Sequence, residues 1–141
     1  MNCGILLIAK RSIDRVKQTI RNVTRRNAGK PLEEVIKTLN LKVPGWVRYF
    51  KMASCKHLLR GLDQWIRRKL RCIRLKQLKQ PYTTMKFLRQ NGVPEWNAWI
   101  LAGSGKGWWR KSSAPQASMA MSNKWFEKLG LVNLEKLYLS L

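Results

Sequence analysis

Across 141 residues, 29 Lys and Arg stand against 7 Asp and Glu, a formal net charge of +22 that calls for a polyanionic partner, of which phosphate backbone is the commonest. Hydrophobic residues make up 45% of the chain and recur periodically, which excludes a disordered basic tail. The longest apolar run, Ile5 to Ala9, is too short to span a bilayer and lacks the order of a signal peptide, so a cytosolic protein with no membrane partner is expected.

In chain order, Ser12 is the expected cap of a first helix, Ile13 to about Asn27, with Ile13, Val16, Ile20 and Val23 on one face and Asn27-Ala28-Gly29 as its stop. Pro31 opens a second helix in which Leu32, Val35, Ile36 and Leu39 repeat at helical spacing, with Glu33 and Glu34 suited to its N-terminal dipole. Asn40 and Pro44 are expected to end it. A short amphipathic piece, Gly45 to Met52, follows.

Ser54 begins the longest predicted element, a helix to about Lys79. Counting 100° per residue gathers Cys55, Leu58, Leu62, Trp65, Ile66, Cys72 and Ile73 on one side, with Lys69 at its edge. Arg60, Arg67, Arg71 and Arg74 gather on the opposite side. The pattern predicts a core face and a phosphate-facing face on one rod, against the plainer reading of a solvated surface.

Pro81 ends that helix and divides the chain into expected segments 1–80 and 81–141. Beyond it the elements are short: Thr84 to Gln90, Pro94 to Leu101, Asn123 to Leu129, and a last turn capped by Asn133 and running through Tyr138. Between them lies a flexible basic loop, Gly103-Ser104-Gly105-Lys106-Gly107-Trp108-Trp109-Arg110-Lys111, whose spacing is not that of a P-loop. Its paired indoles suit base stacking, or one of them anchors the loop to the core. Taken singly, most of the seven Trp are expected in the core. Trp46 and Trp65 in particular lie on apolar faces, while Trp108 or Trp109 is expected to be exposed. Outside the N-terminal run, strand signals are nearly absent.

Chemistry of catalysis is not legible. The carboxylates form no pair suited to two-metal nucleotidyl transfer, and His57 has no nucleophile partner at a recognisable spacing. Cys3, Cys55 and Cys72 form no disulfide framework, and Cys55-x-His57 is not a usual zinc spacing. A binding protein is expected, with no catalytic residue, metal or cofactor.

Several segments then fall into a known order. Pro44-Gly45-Trp46-Val47-Arg48-Tyr49-Phe50 resembles the R-G-W-x-N-Y-F box of the group II intron maturase-specific domain. Leu62-Asp63-Gln64-Trp65-Ile66-Arg67-Arg68-Lys69-Leu70-Arg71 resembles its L-D-x-W-[IL]-R-R-[RK]-[LI]-R helix almost position for position. Lys76-Gln77-Leu78-Lys79-Gln80-Pro81 is similar to its K-x-W-K-x-P exit, Lys106-Gly107-Trp108-Trp109-Arg110 to K-G-Y-W-R, and Leu129-Gly130-Leu131 with Leu134 and Tyr138 to its closing L-G-L-x-x-L-x-x-x-Y. The departures are Pro44, Arg48 where the family favours Asn, and Gly105 where Arg is common.

The resemblance implies a mainly α fold: a helical, thumb-like bundle with one long basic helix, followed by a small helical C-terminal segment. It implies a maturase-type module that binds group II intron RNA and assists splicing, with 1–80 as the thumb-like domain and 81–141 as a segment associated with DNA at the integration site. The reverse transcriptase fingers and palm, with their Y-A-D-D aspartates, are not in this sequence. Met1 to Ala9 resembles a last palm strand leading into the thumb. The alternative is therefore a split or truncated thumb that completes a reverse transcriptase in trans with a fingers-palm chain. The residues expected to contact RNA are Arg60, Arg67, Arg68, Arg71, Arg74, Lys76, Lys79, Lys106, Trp108, Trp109 and Arg110.

Overall fold

No glycine or proline interrupts the chain between Ile5 and Asn27, and the first helix, α1, accordingly runs unbroken over Leu6–Arg25. The computed structural model describes residues 6–25, 29–52 and 56–141, with side chains described at all of these except 6–9, 49, 51, 52 and 56. Two expectations are corrected at once. Ser12 does not cap α1 but lies buried inside it, and Leu6 to Ala9 are helical where an extended palm-like strand was expected. The reason is local: Leu, Ile and Ala pattern as well in a helix as in a strand, and nothing between them and Ile13 breaks the hydrogen-bonding ladder. Thr24 fits the helix because its hydroxyl donates a hydrogen bond back to the Ile20 carbonyl at 2.8 Å. The stop expected at Asn27-Ala28 lies outside the described residues, as do Ser54, Cys3 and Cys55.

The remaining elements are α2 (Leu32–Lys42), α3 (Gly45–Met52), α4 (Lys56–Leu78), α5 (Pro81–Gln90), α6 (Glu95–Ala102), α7 (Trp108–Lys111), α8 (Pro115–Ala120), α9 (Asn123–Lys128) and α10 (Leu134–Ser140). Among the described residues there is no strand, so the chain is mainly α. Asn40 does not end α2, because its side chain leaves the helix for a distant loop: the amide donates to the Gly130 carbonyl at 2.7 Å, and its oxygen accepts from the Val132 N–H at 3.0 Å. The chain stays helical to Lys42 and turns at Pro44. No helix among the described residues is long and apolar enough to cross a membrane.

The chain forms two compact units. The first comprises the residues up to Ile66 together with Leu129–Leu141; the second is Arg67–Lys128. The sequence boundary at Pro81 had divided the chain elsewhere. Pro81 occupies the first turn of α5, where its missing N–H costs nothing, and it restarts a helix within one unit.

In the first unit, α1 contributes Val16, Ile20 and Val23, α2 contributes Leu32, Val35, Ile36 and Leu39, and Val47 and Phe50 of α3 join Leu59, Leu62 and Ile66 of α4 in the core. α10 packs against α3 and is held at its N-terminus by side chains from two directions. The buried Asp63 carboxylate accepts from the Leu134 N–H at 2.9 Å and the Glu135 N–H at 3.0 Å. Asn133, the cap expected from sequence, accepts from the Lys136 N–H at 3.0 Å. The first three amides of α10 are thereby satisfied.

In the second unit, Leu70 and Leu75 of α4 are buried with Met85 and Leu88 of α5, Ala98 and Leu101 of α6, Ala117 and Ala120 of α8, Met121, and Phe126 of α9. α5, α6 and α8 contact one another. Gly92 at φ +99° makes the α5–α6 turn, a conformation that strains any residue with a Cβ. α7 and α8 were not expected. Pro115 at the start of α8 had the position of a helix initiator, but a single turn and a half is too short for periodicity to show.

Candidate nucleic-acid interface

Because α4 turns 100° per residue, its arginines sample several environments, and the four-residue stripe does not lie open as one surface. In the first unit, Arg60 donates to the Glu135 carboxylate at 2.8 Å, which holds its guanidinium pKa above the ordinary value, first through the hydrogen bond and then through charge. In the second unit, Arg67, Arg71 and Arg74 are half-buried. Arg71 donates from Nε to the Met121 carbonyl at 2.9 Å and lies over the Phe126 ring at 5.5 Å. Burial, and then the charge of Arg67, pull its pKa down to about 10, so it remains a cation at neutral pH. Arg74 sits 5.9 Å over both Phe87 and Trp125, whose rings meet edge to face at 6.0 Å. These two guanidiniums cover aromatic surface, of which Phe126 is buried and Phe87 and Trp125 are half-buried.

The core face of α4 shifts correspondingly. Leu59, Leu62, Ile66 and Leu70 are the buried stripe, whereas Leu58, Trp65, Cys72 and Ile73, expected in the core, are only half-buried. Burial raises the pKa of the Cys72 thiol, against the smaller opposing effects of Lys69, Lys76 and Arg68. Trp65 carries Arg21 of α1 over its ring at 5.5 Å. Trp46, the other indole assigned to the core, is half-buried and stacks at 6.4 Å on Phe50.

A denser cationic site forms in the second unit from residues far apart in sequence. Arg68 lies over the Trp109 ring, its guanidinium carbon 3.8 Å from the centroid, and donates to the Trp109 carbonyl at 2.9 Å and the Ser112 hydroxyl at 3.3 Å. Lys69 approaches the same ring at 5.6 Å. The basic loop is ordered at its far end by α7, and this brings Lys111 one helical turn after Trp108, with its ammonium 4.9 Å from that ring. Behind them is a cavity of about 450 Å³ lined by Arg68, Lys106, Arg110 and Lys111, with Ser104 and Gln116 and no carboxylate. Lys111 is only 8% exposed. Gln116 is fixed by its amide donating to Asn97 at 2.9 Å.

Of the residues expected to contact RNA, the structure therefore brings together Arg68, Lys106 and Arg110 around this cavity, with Trp109 stacked on Arg68. Trp108 is half-buried beneath Lys111. Lys76 and Lys79 are exposed at the end of α4, where Lys79 adopts φ 55°, and they do not line the cavity. Arg60 belongs to the other unit. Lys111 was missed as a site residue. Its spacing of three from Trp108 was the available signal, hidden by reading the whole segment as loop.

The family model of the group II intron maturase-specific domain matches residues 13–92. The chain belongs to that family. The matched part of the maturase-specific domain includes Asp63 and Arg68, while Lys106, Arg110 and Lys111 lie beyond it. No curated protein matches the chain. Among the described residues, no group of His, Cys, Asp and Glu could hold a metal ion.

None of the seven Trp of this maturase-specific domain protein is fully buried, and Trp96, Trp99 and Trp109 are exposed at 69%, 40% and 41%. Replacing Trp96 with Phe is accordingly expected to remove more of the quenchable emission than replacing Trp65. Acrylamide is the quencher of choice, because iodide concentrates on so basic a surface. Equal reductions in the two variants would contradict the exposure described here.

Proposed function

We propose that this maturase-specific domain protein binds group II intron RNA through the cationic cavity of its second unit and thereby assists splicing. The observation that carries the reading is the convergence of Arg68, Lys106, Arg110 and Lys111 on one cavity without a carboxylate, with Lys111 almost wholly withdrawn from water. Gathering four like charges is costly, and a phosphate offsets that cost while accepting several charge-assisted hydrogen bonds. The planar Arg68, fixed by its stack on Trp109 and by two hydrogen bonds, is preorganised to present its remaining donors. The cations suit phosphate oxygens above all, so recognition here is chiefly of backbone position and RNA shape.

The test is a salt titration of intron RNA binding by Lys106→Gln and Arg110→Gln, singly and together, with DNA duplex as a parallel arm. For every phosphate that a variant no longer neutralises, the slope of log affinity against log salt should flatten by about 0.7 to 0.9. Both side chains are exposed, so thermal melts should remain close to that of the parent. Unchanged slopes with unchanged affinity move the RNA site off this cavity, and equal binding of intron RNA and DNA duplex removes the specific content of the proposal.

A further inference from the structure

Apart from Glu95 and Asn97, α6 is apolar, with its apolar residues spread around the helix rather than gathered on one side, a pattern that ordinarily means burial all round. Here only one face, that of Ala98, Leu101 and Ala102, is buried. The other presents Trp96 at 69% exposure with Trp99 and Ile100 at 40% and 57%, spaced at i, i+3 and i+4 so that they share a face. Tyr82 of α5, 59% exposed, extends the surface, its ring centroid 6.4 Å from that of Trp99. Lys86 brings its ammonium within 5.4 Å of the Tyr82 ring. Three aromatic side chains in solvent on two packed helices form a platform that the core of the unit does not use.

We infer that the Tyr82–Trp96–Trp99 face of α5 and α6 is a stacking platform for unpaired nucleotides of a bound nucleic-acid strand. The occupant is chosen by what surrounds it. Ile100, on the platform's own helix, also lines the cavity that Arg68, Lys106, Arg110 and Lys111 surround, so rings and phosphate-seeking cations are continuous. The acid on α6, Glu95, is neutralised by Arg89 at 2.8 Å. An apolar surface bordered by cations suits a strand whose bases lie on the rings while its phosphates run along the charges. A duplex keeps its bases stacked on one another and offers the platform nothing. The inference rests on the proposed RNA-binding function and adds which RNA is taken there: an unpaired segment.

The experiment compares the full chain with Trp96→Leu and Trp99→Leu for binding to a fluorescein-labelled oligouridylate and to a blunt RNA duplex of equal charge, read by anisotropy across a salt series. Leucine keeps the surface apolar while removing the ring. Each variant should bind the single strand about tenfold more weakly, the scale of one base–aromatic stack, with its salt slope unchanged and duplex binding unaltered. Parallel weakening on both RNAs, or none on either, overturns the platform while the charge variants of the cavity continue to report the parent function. Failure of the parent chain to bind any RNA overturns both. Sedimentation of the parent and Trp96→Ser chains provides the remaining outcome: a parent dimer that the substitution dissociates assigns this face to a second copy instead.

Discussion

Asp63→Ala should destabilise the first unit by about 3 kcal/mol, because it strips the acceptor from two amides at the start of α10. Hydrogen bonds to a charged group contribute about 1.5 to 3 kcal/mol each, and part of that is recovered where water reaches the half-exposed Glu135. Leu134 is 2% exposed, so its N–H has no such recourse. Asp63→Asn should fall between, since one amide oxygen can replace one carboxylate oxygen while its NH2 faces a donor. The Arg60→Gln variant breaks the exposed ion pair to Glu135 and should cost little beside either. Urea unfolding of the four chains measures this. An Asp63→Ala chain as stable as the parent would remove the carboxylate from any role in holding α10.

Arg71→Ala should cost about 2 to 3 kcal/mol, through the donor taken from the Met121 carbonyl and the guanidinium taken from the Phe126 ring. Reading the sequence alone, the same residue belongs to an exposed stripe whose removal leaves the fold intact. The two readings separate in a thermal melt. Arg71→Lys should recover little, because an ammonium on a flexible stem does not reproduce the planar Nε donor above the ring. Arg71→Met should recover more, since it refills the volume and withdraws a charge whose burial opposes folding, as the lowered pKa shows. The pH dependence follows from that sign. A cation with a depressed folded pKa gives no slope around neutrality, and its unfavourable contribution fades only as pH rises above about 10. An Arg71→Ala chain that melts with the parent yet binds RNA with a flatter salt slope would return this residue to the surface stripe.

The legible parts of the fold were those with long periodicity or specific caps. Val16, Ile20 and Val23 of α1, the four apolar positions of α2 and the Asn133 cap of α10 are each written in a handful of neighbouring residues. Arginine placement was not so written. An angular count assigns one buried and one solvated side to a helix, whereas α4 enters a unit in which Phe87, Trp125 and Phe126 cover the cationic side as well. Those rings lie on α5 and α9, too distant in sequence for any window over α4 to include them. The indoles differed in the opposite sense: size argues for the core at Trp46 and Trp65, yet both are only half-buried, Trp65 beneath the Arg21 guanidinium, while the exposure expected of Trp109 is found. Of the cavity, Arg68, Lys106 and Arg110 were named from sequence. Their convergence with Lys111 depended on α7 and α8, elements too short to announce themselves.

The hydrogen bonds from Asn40 to Gly130 and Val132, and from Asp63 to Leu134 and Glu135, close the first unit with a segment that follows the entire second unit in the chain. This order has a meaning for biosynthesis. Arg67–Lys128 is contiguous and can gather its own core as it leaves the ribosome, but α1 to α3 must wait, with Asn40 and Asp63 solvated, until Leu129–Leu141 has been made. The waiting surface is apolar, and in so basic a chain it emerges beside ribosomal RNA. A chain ending at Lys128 and tethered to the ribosome by a linker long enough to bring it clear of the exit tunnel should therefore have a second unit that resists protease while its first remains susceptible, and extending the tethered chain through Leu141 should protect both.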